Sequence, residues 1–201
     1  MIIGITGKNC SGKGEVAKFL VNGGFEYFSL SDVLRDELES RKEPPSRENL
    51  IAIGNELRKS YGAGVLAERI LEKVRVDAHA VVDSVRNPFE VEALRRRRDF
   101  HLISVEADPE VRFERTLERK REGDPATYEE FLDVERREAN TSDPTTQQMD
   151  RTAEMADAVI FNNSTIEDLH EQVRQVIKAI AADQHRPDWD EYFMNIASVV
   201  A

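Results

Sequence analysis

The chain has 201 residues, 40% hydrophobic and 33% charged, enough for one sizeable core and short for two independent ones. A formal net charge of −11 excludes a general nucleic-acid binder, whose phosphate contacts need clustered Lys and Arg, and no apolar run approaches the roughly 20 residues of a bilayer span. One cysteine, Cys10, excludes an internal disulfide framework and a multi-cysteine zinc site.

The chain opens on MIIGIT, which predicts a short buried strand and lacks the basic and apolar regions of a secretory signal, so the cytoplasm is the expected compartment. A glycine loop, GKNCSGKG, leads into EVAKFLVNGG, where Val16, Phe19 and Leu20 share a helical face before Gly23 and Gly24 end it. FEYFSL is aromatic and β-prone, and SDVLRDELESRK is the next helix, with Ser31 as its expected N-cap. Pro44 and Pro45 then break the pattern, and Ser46 caps RENLIAIGNELRKSYG. GVLAERILEKVR is a further helix.

AVVDSV reads as a buried parallel strand that stops at an acid, NPFEVEALRRRR as the helix after it, and HLISVEA as another strand. DPEVRFERTLERKREG is helical and arginine-rich, and GDPATYEEFLDVERREAN continues the helical pattern after a break at residues 123–125. ADAVIFNN is the last strand; TIEDLHEQVRQVIKAIAAD closes the pattern as a helix capped at Ser164 or Thr165. Strands alternating with helices imply an α/β fold of three layers, a parallel sheet between helices, with ligands beyond the carboxyl ends of the strands.

Residues 7–14 satisfy the phosphate-loop pattern G-x-x-x-x-G-K, with Gly14 where a serine or threonine is usual. Between a strand and a helix, the amides of Gly7, Lys8, Asn9, Cys10, Ser11, Gly12, Lys13, Gly14 and Glu15 can converge on phosphate, and Lys13 would reach its terminal groups. Asp83, at a strand end, brings a carboxylate to the same sheet edge, where it can hold magnesium directly or through water, and Arg86 faces the same crevice. Arg112, Arg115, Arg119 and Arg121 form an arginine group whose first three members are spaced for one helix face, either to stabilise phosphoryl charge or to pair with the interleaved Glu110, Glu114 and Glu118. Arg95 to Arg98 read as solvating a helix face.

Together these segments resemble the nucleoside monophosphate kinase family of P-loop NTPases, including adenylate kinase, dephospho-coenzyme A kinase and an archaeal group of kinase-like ATPases; coverage is roughly residues 1–180. The resemblance implies ATP and Mg2+ as cofactors and a helical lid and monophosphate-binding region. Lys13, Asp83, Arg115 and Arg119 become the catalytic set, with Asp83 as the metal residue. SLSDVLRDEL and DSVRNPFEVEAL are similar to acceptor-binding segments, nominating Asp32, Arg35 and Arg86, and VIFNNSTIEDL to the turn near adenine, nominating Asn162 and Asn163. Lys-Gly is usual in that family, so the departure is Glu15, where many adenylate kinases carry threonine.

RPDWDEYFMNIASVVA, the last 16 residues (186–201), closely resembles the opening of deoxycytidylate deaminases, without that family's zinc-binding segments. The resemblance implies residues 1–182 as a kinase-like domain and residues 183–201 as a linker and the first helix of a fused or associated deaminase domain. Trp189 and Phe193, exposed on such a fragment, would drive self-association into a homo-oligomer. The expected activity is ATP-dependent phosphotransfer to a nucleoside or deoxynucleoside monophosphate. The alternatives are a nucleotide-binding sensor of a deaminase and dephospho-coenzyme A kinase; the expected partner in each case is a small nucleotide ligand rather than a membrane.

Overall fold

The structure is a computed structural model that describes residues 1–120, 124–139, 143 and 145–184. Five strands, β1 (Ile2–Thr6), β2 (Glu26–Ser29), β3 (Ala80–Asp83), β4 (Phe100–Glu106) and β5 (Ala158–Phe161), form one sheet in the order β2-β3-β1-β4-β5, with every pairing parallel. Each crossover contains at least one helix, as parallel pairing requires.

Alternation along the central strands divides the core. Ile2, Ala80, Val82, Phe100 and Leu102 face one side, beneath α2 (Leu30–Arg41), α3 (Arg47–Tyr61), α4 (Val65–Leu71) and α5 (Pro88–Leu94). Ile3, Ile5, Val81, Ile103, Val105 and Ile160 face the other, against α1 (Lys13–Asn22) and α9 (Ile166–Gln184). Both faces are covered, which is why the strand sequences read as continuous apolar runs rather than as alternating ones. Three further helices, α6 (Pro109–Arg119), α7 (Tyr128–Ala139) and α8 (Met149–Glu154), follow β4 and flank the carboxyl edge.

The alternating pattern is confirmed, with three local corrections. Helix α2 begins at Leu30, and its N-cap is Ser29, whose side chain accepts a hydrogen bond from the Ser31 amide at 3.2 Å. Ser31 lies inside the first turn. Helix α5 ends at Leu94, and the arginines after it leave the helical pattern for ion pairs, Arg95 with Asp157, Arg96 with Glu68 and Arg97 with Asp99. Helix α8 is too short to leave a periodic signal in the sequence and was not expected. No described helix is long and apolar enough to cross a membrane.

Candidate functional site

β1 delivers the glycine loop to the carboxyl edge of the sheet, and α1 begins at Lys13. Two glycines are required here by geometry. Gly7 (φ 139°) and Gly12 (φ 104°) occupy backbone conformations that side chains strain, and a Cβ would lie 2.2 Å from the Val105 carbonyl at the first and 2.0 Å from Asn162 Nδ2 at the second. Gly14, by contrast, has open space around its Cα, so the missing hydroxyl side chain is not excluded sterically. Cys10 adopts the left-handed conformation as well, its Sγ accepting from Thr116 Oγ1 at 3.3 Å.

Lys13 curls back over the loop, its Nζ donating to the carbonyls of Gly7 at 2.6 Å and Lys8 at 2.7 Å. Burial, and after it the neighbouring charge of Arg86, lowers its pKa from 10.5 to about 8, against an opposing pull from Asp83. An unfolded lysine keeps its proton to higher pH, so this group makes stability rise with pH between about 8 and 10.5. A bound phosphate reverses the preference and restores the proton. Donor binding near pH 8 is therefore expected to take up about half a proton, and near pH 6 almost none at this lysine. Calorimetry in buffers of different ionisation enthalpy measures this; equal uptake at Lys13 and in a Lys13→Met variant would contradict it.

Asp83 ends β3 beside the loop. Its Oδ1 accepts from the Ser84 amide at 2.6 Å and its Oδ2 from the Tyr27 hydroxyl at 3.2 Å. Burial and the Asp83 charge raise the Tyr27 pKa to about 12, so the phenol stays a donor throughout the neutral range. Ser84 itself has φ 66°, a strained conformation for serine of the kind that collects at functional sites. Ser11 Oγ is buried near the same loop without a protein partner. One carboxylate and one uncommitted hydroxyl suit magnesium, which keeps several waters and takes its remaining ligands from phosphates. Among the described residues no group of three or more His, Cys, Asp and Glu could hold a metal alone.

Glu15 turns away from this edge to pair with His170 on α9 at 3.2 Å, where His170 stacks on Phe19. Arg115 does not lie free along its helix. It reaches the carbonyls of Cys10 at 3.4 Å and Asn162 at 3.0 Å, while Asn162 Nδ2 donates to the Ser11 carbonyl at 2.8 Å. Asn163 accepts from the Asp108 amide at 2.8 Å. The two asparagines and Arg115 thus fasten β5 and α6 to the back of the loop. Arg119 pairs with Asp124 at 2.7 Å, and buried Arg112 pairs with Glu135 of α7. Arg121 and residues 186–201, with Trp189 and Phe193, lie outside the described residues.

Two hollows meet at the loop. A small one is lined by Gly7, Lys8, Lys13 and Glu135, and a cleft of about 770 Å³ runs from Ser84 outward between α2 and α3; both share Asn9, Arg86 and Gln147. Arg35 lies on the cleft wall, and Asp32 reaches it only through its ion pair with Arg35 at 2.6 Å. Arg119 and Asp124 also border the cleft. Sequence reasoning missed Glu135, Gln147 and Arg58. It also missed Glu90, although Asn87-Pro-Phe-Glu90 carries the capping-box spacing that the structure realises.

A phosphate loop at the head of a parallel sheet with flanking helices is the fold of P-loop kinases. The chain belongs to the AAA domain family, which it matches over residues 6–133, and to the UPF0200 proteins. The UPF0200 protein of Pyrococcus horikoshii is 33% identical, over 91% of this chain and 99% of that relative. Among solved structures, TT1252 from Thermus thermophilus has a TM-score of 0.59 at 24% identity, over 89% of this chain and 97% of its own. Shikimate kinase from Bacteroides thetaiotaomicron has a TM-score of 0.56 at 14% identity, over 89% and 98%. At those identities the structural likenesses establish the fold alone. The glycine loop and the fold it heads are those of a nucleotide-binding P-loop domain.

Proposed function

We propose that the chain transfers the terminal phosphoryl group of ATP to a nucleoside or deoxynucleoside monophosphate. The observation that carries this reading is the junction at Arg86, where the phosphate loop and the 770 Å³ cleft share their lining. A donor on the loop and an acceptor in the cleft would meet there, and phosphoryl transfer needs little beyond such positioning and charge stabilisation.

In this reading the amides of residues 8–14 hold the donor phosphates, and Lys13 leaves its carbonyls for their terminal oxygens. Asp83 and Ser11 hold magnesium, which neutralises phosphate charge when bound. The donor base lies against the turn of Asn162 and Asn163, whose side chains shape the wall because both are already committed to backbone groups. Arg86 holds the acceptor phosphate and Arg35, steadied by Asp32, the outer cleft. Arg119, on the cleft wall, exchanges Asp124 for the transferred group, and Arg115 keeps the loop in shape.

Gly14 and the turning of Glu15 towards His170 favour a second reading, a nucleotide sensor that binds without transfer. A fused or associated deaminase goes with either reading. It rests on residues 186–201 and would distinguish this chain from the Pyrococcus horikoshii relative, which is matched over 99% of its length. The proposed domain boundary between residues 182 and 183 and any self-association go with the same resemblance. A scan of acceptors with ATP and magnesium decides: turnover of one monophosphate supports the kinase, turnover of dephospho-coenzyme A alone redirects it, and binding without turnover favours the sensor.

A further inference from the structure

We propose that Arg58, held in place by Glu90, is a second phosphate-binding guanidinium of the acceptor cleft, beside Arg86. The proposal rests on the reading of the cleft as an acceptor site, and it assigns to that site a cation and a positioning residue.

Arg58 lies on the cleft-facing side of α3 and lines the cleft although only 6% of it is exposed. Its Nε and Nη2 donate to Glu90 Oε1 at 3.3 and 2.9 Å, and its Nη1 points to the Thr145 carbonyl at 3.4 Å. A guanidinium has five N–H groups, so the second hydrogen on each terminal nitrogen is left over from these three bonds. The other carboxylate oxygen of Glu90 accepts from the backbone amides of Arg86 at 2.9 Å and Asn87 at 3.1 Å. One fully buried carboxylate therefore fixes both the side chain of Arg58 and the backbone from which Arg86 springs.

Two observations argue for more than a structural pair. Buried ion pairs are weak stabilisers, and a well-packed apolar pair does as well. Here the pair stands at the wall of a polar cleft, next to a second arginine. In addition, α3 carries a glycine, Gly54, one turn before Arg58. Glycine is unfavourable in a helix interior, and here a Cβ would come within 3.1 Å of Arg58 Nη1. The guanidinium lies in the space this leaves. A guanidinium fixed on its Nε–Nη2 edge by a carboxylate, at the wall of a cleft and with N–H groups to spare, is suited to planar recognition of an oxyanion, which a lysine cannot reproduce.

The test uses the full chain with Arg58→Lys, Arg58→Met and Glu90→Gln. Calorimetry measures ADP as the donor-site probe and a panel of ribo- and deoxyribonucleoside monophosphates as acceptors. Inorganic phosphate is measured in a Lys13→Ala background, which disables the loop, and thermal melting reports folding. Arg58→Lys is expected to fold, to keep ADP affinity within about twofold, and to lose about ten- to hundredfold in acceptor affinity, the worth of one or two charge-assisted hydrogen bonds. Glu90→Gln is expected to show the same selective loss, read as a raised acceptor KM with a smaller change in kcat.

A folded Arg58→Lys that keeps acceptor and phosphate affinity within twofold overturns the proposal. So does parallel loss of ADP and acceptor binding, the mark of a purely structural pair. If the wild type binds phosphate but none of the monophosphates, the nucleotide reading fails, and Arg58 is then judged on phosphate binding by the same criteria. If it binds neither, both fail.

Discussion

Lys13→Ala is expected to lower phosphoryl transfer by about 10³-fold or more, in the range of a preorganised charge at a transferring phosphoryl group. In the structure the ammonium is wrapped on the carbonyls of Gly7 and Lys8, and among the described residues it pairs with no carboxylate. Moving it to a phosphate costs only those two neutral contacts. Buried and depressed to a pKa of about 8, it also gains more from an anion than a solvated lysine would. Donor affinity should fall with transfer, because the same cation meets the donor before and during reaction. Titration of ADP together with single-turnover rates checks this. Transfer within tenfold of wild type would remove Lys13 from the mechanism.

Arg86→Ala should act on the other substrate. Its side chain borders both hollows, and its backbone amide is fixed by Glu90. Loss of kcat/KM for the acceptor by about 10²- to 10³-fold is expected, with donor affinity unchanged or improved. The improvement has a stated source: Arg86 is the second-largest cause of the lowered Lys13 pKa, so its removal leaves more Lys13 protonated at pH 8 and above. A variant that loses donor and acceptor binding equally would place Arg86 in the loop's own structure instead.

The parts of this site that lie along one stretch of chain were legible from the residues. The loop's spacing, the apolar run ending in Asp83 and the alternation of strands with helices each leave a local pattern, because backbone geometry dictates them. What the sequence hid are the long-range choices of side chains. Arg115, read as a group facing the transferred phosphate, instead braces Cys10 and Asn162 from α6. Glu15, read as the departure at the family's threonine position, pairs with His170 on α9, a residue 155 positions away. Asn162, read against adenine, spends its amide on the Ser11 carbonyl. Arg58 carried no signal, since an arginine on an amphipathic helix is ordinarily solvated; only the approach of α3 to Glu90 in the first turn of α5 gives it a buried partner. Ser31 was misplaced by two positions, because Ser29 and Ser31 are chemically equal caps and the end of β2 decides between them.

The central claim is that a phosphoryl group leaves ATP on the loop for an acceptor in the cleft. ATP labelled in its terminal phosphate, mixed with the protein, magnesium and each nucleoside monophosphate in turn, measures this directly when the products are separated after one turnover. The account predicts label in the diphosphate of one acceptor, lost in Lys13→Ala. Label found only in ATP or in free phosphate, with ATP demonstrably bound, would contradict it.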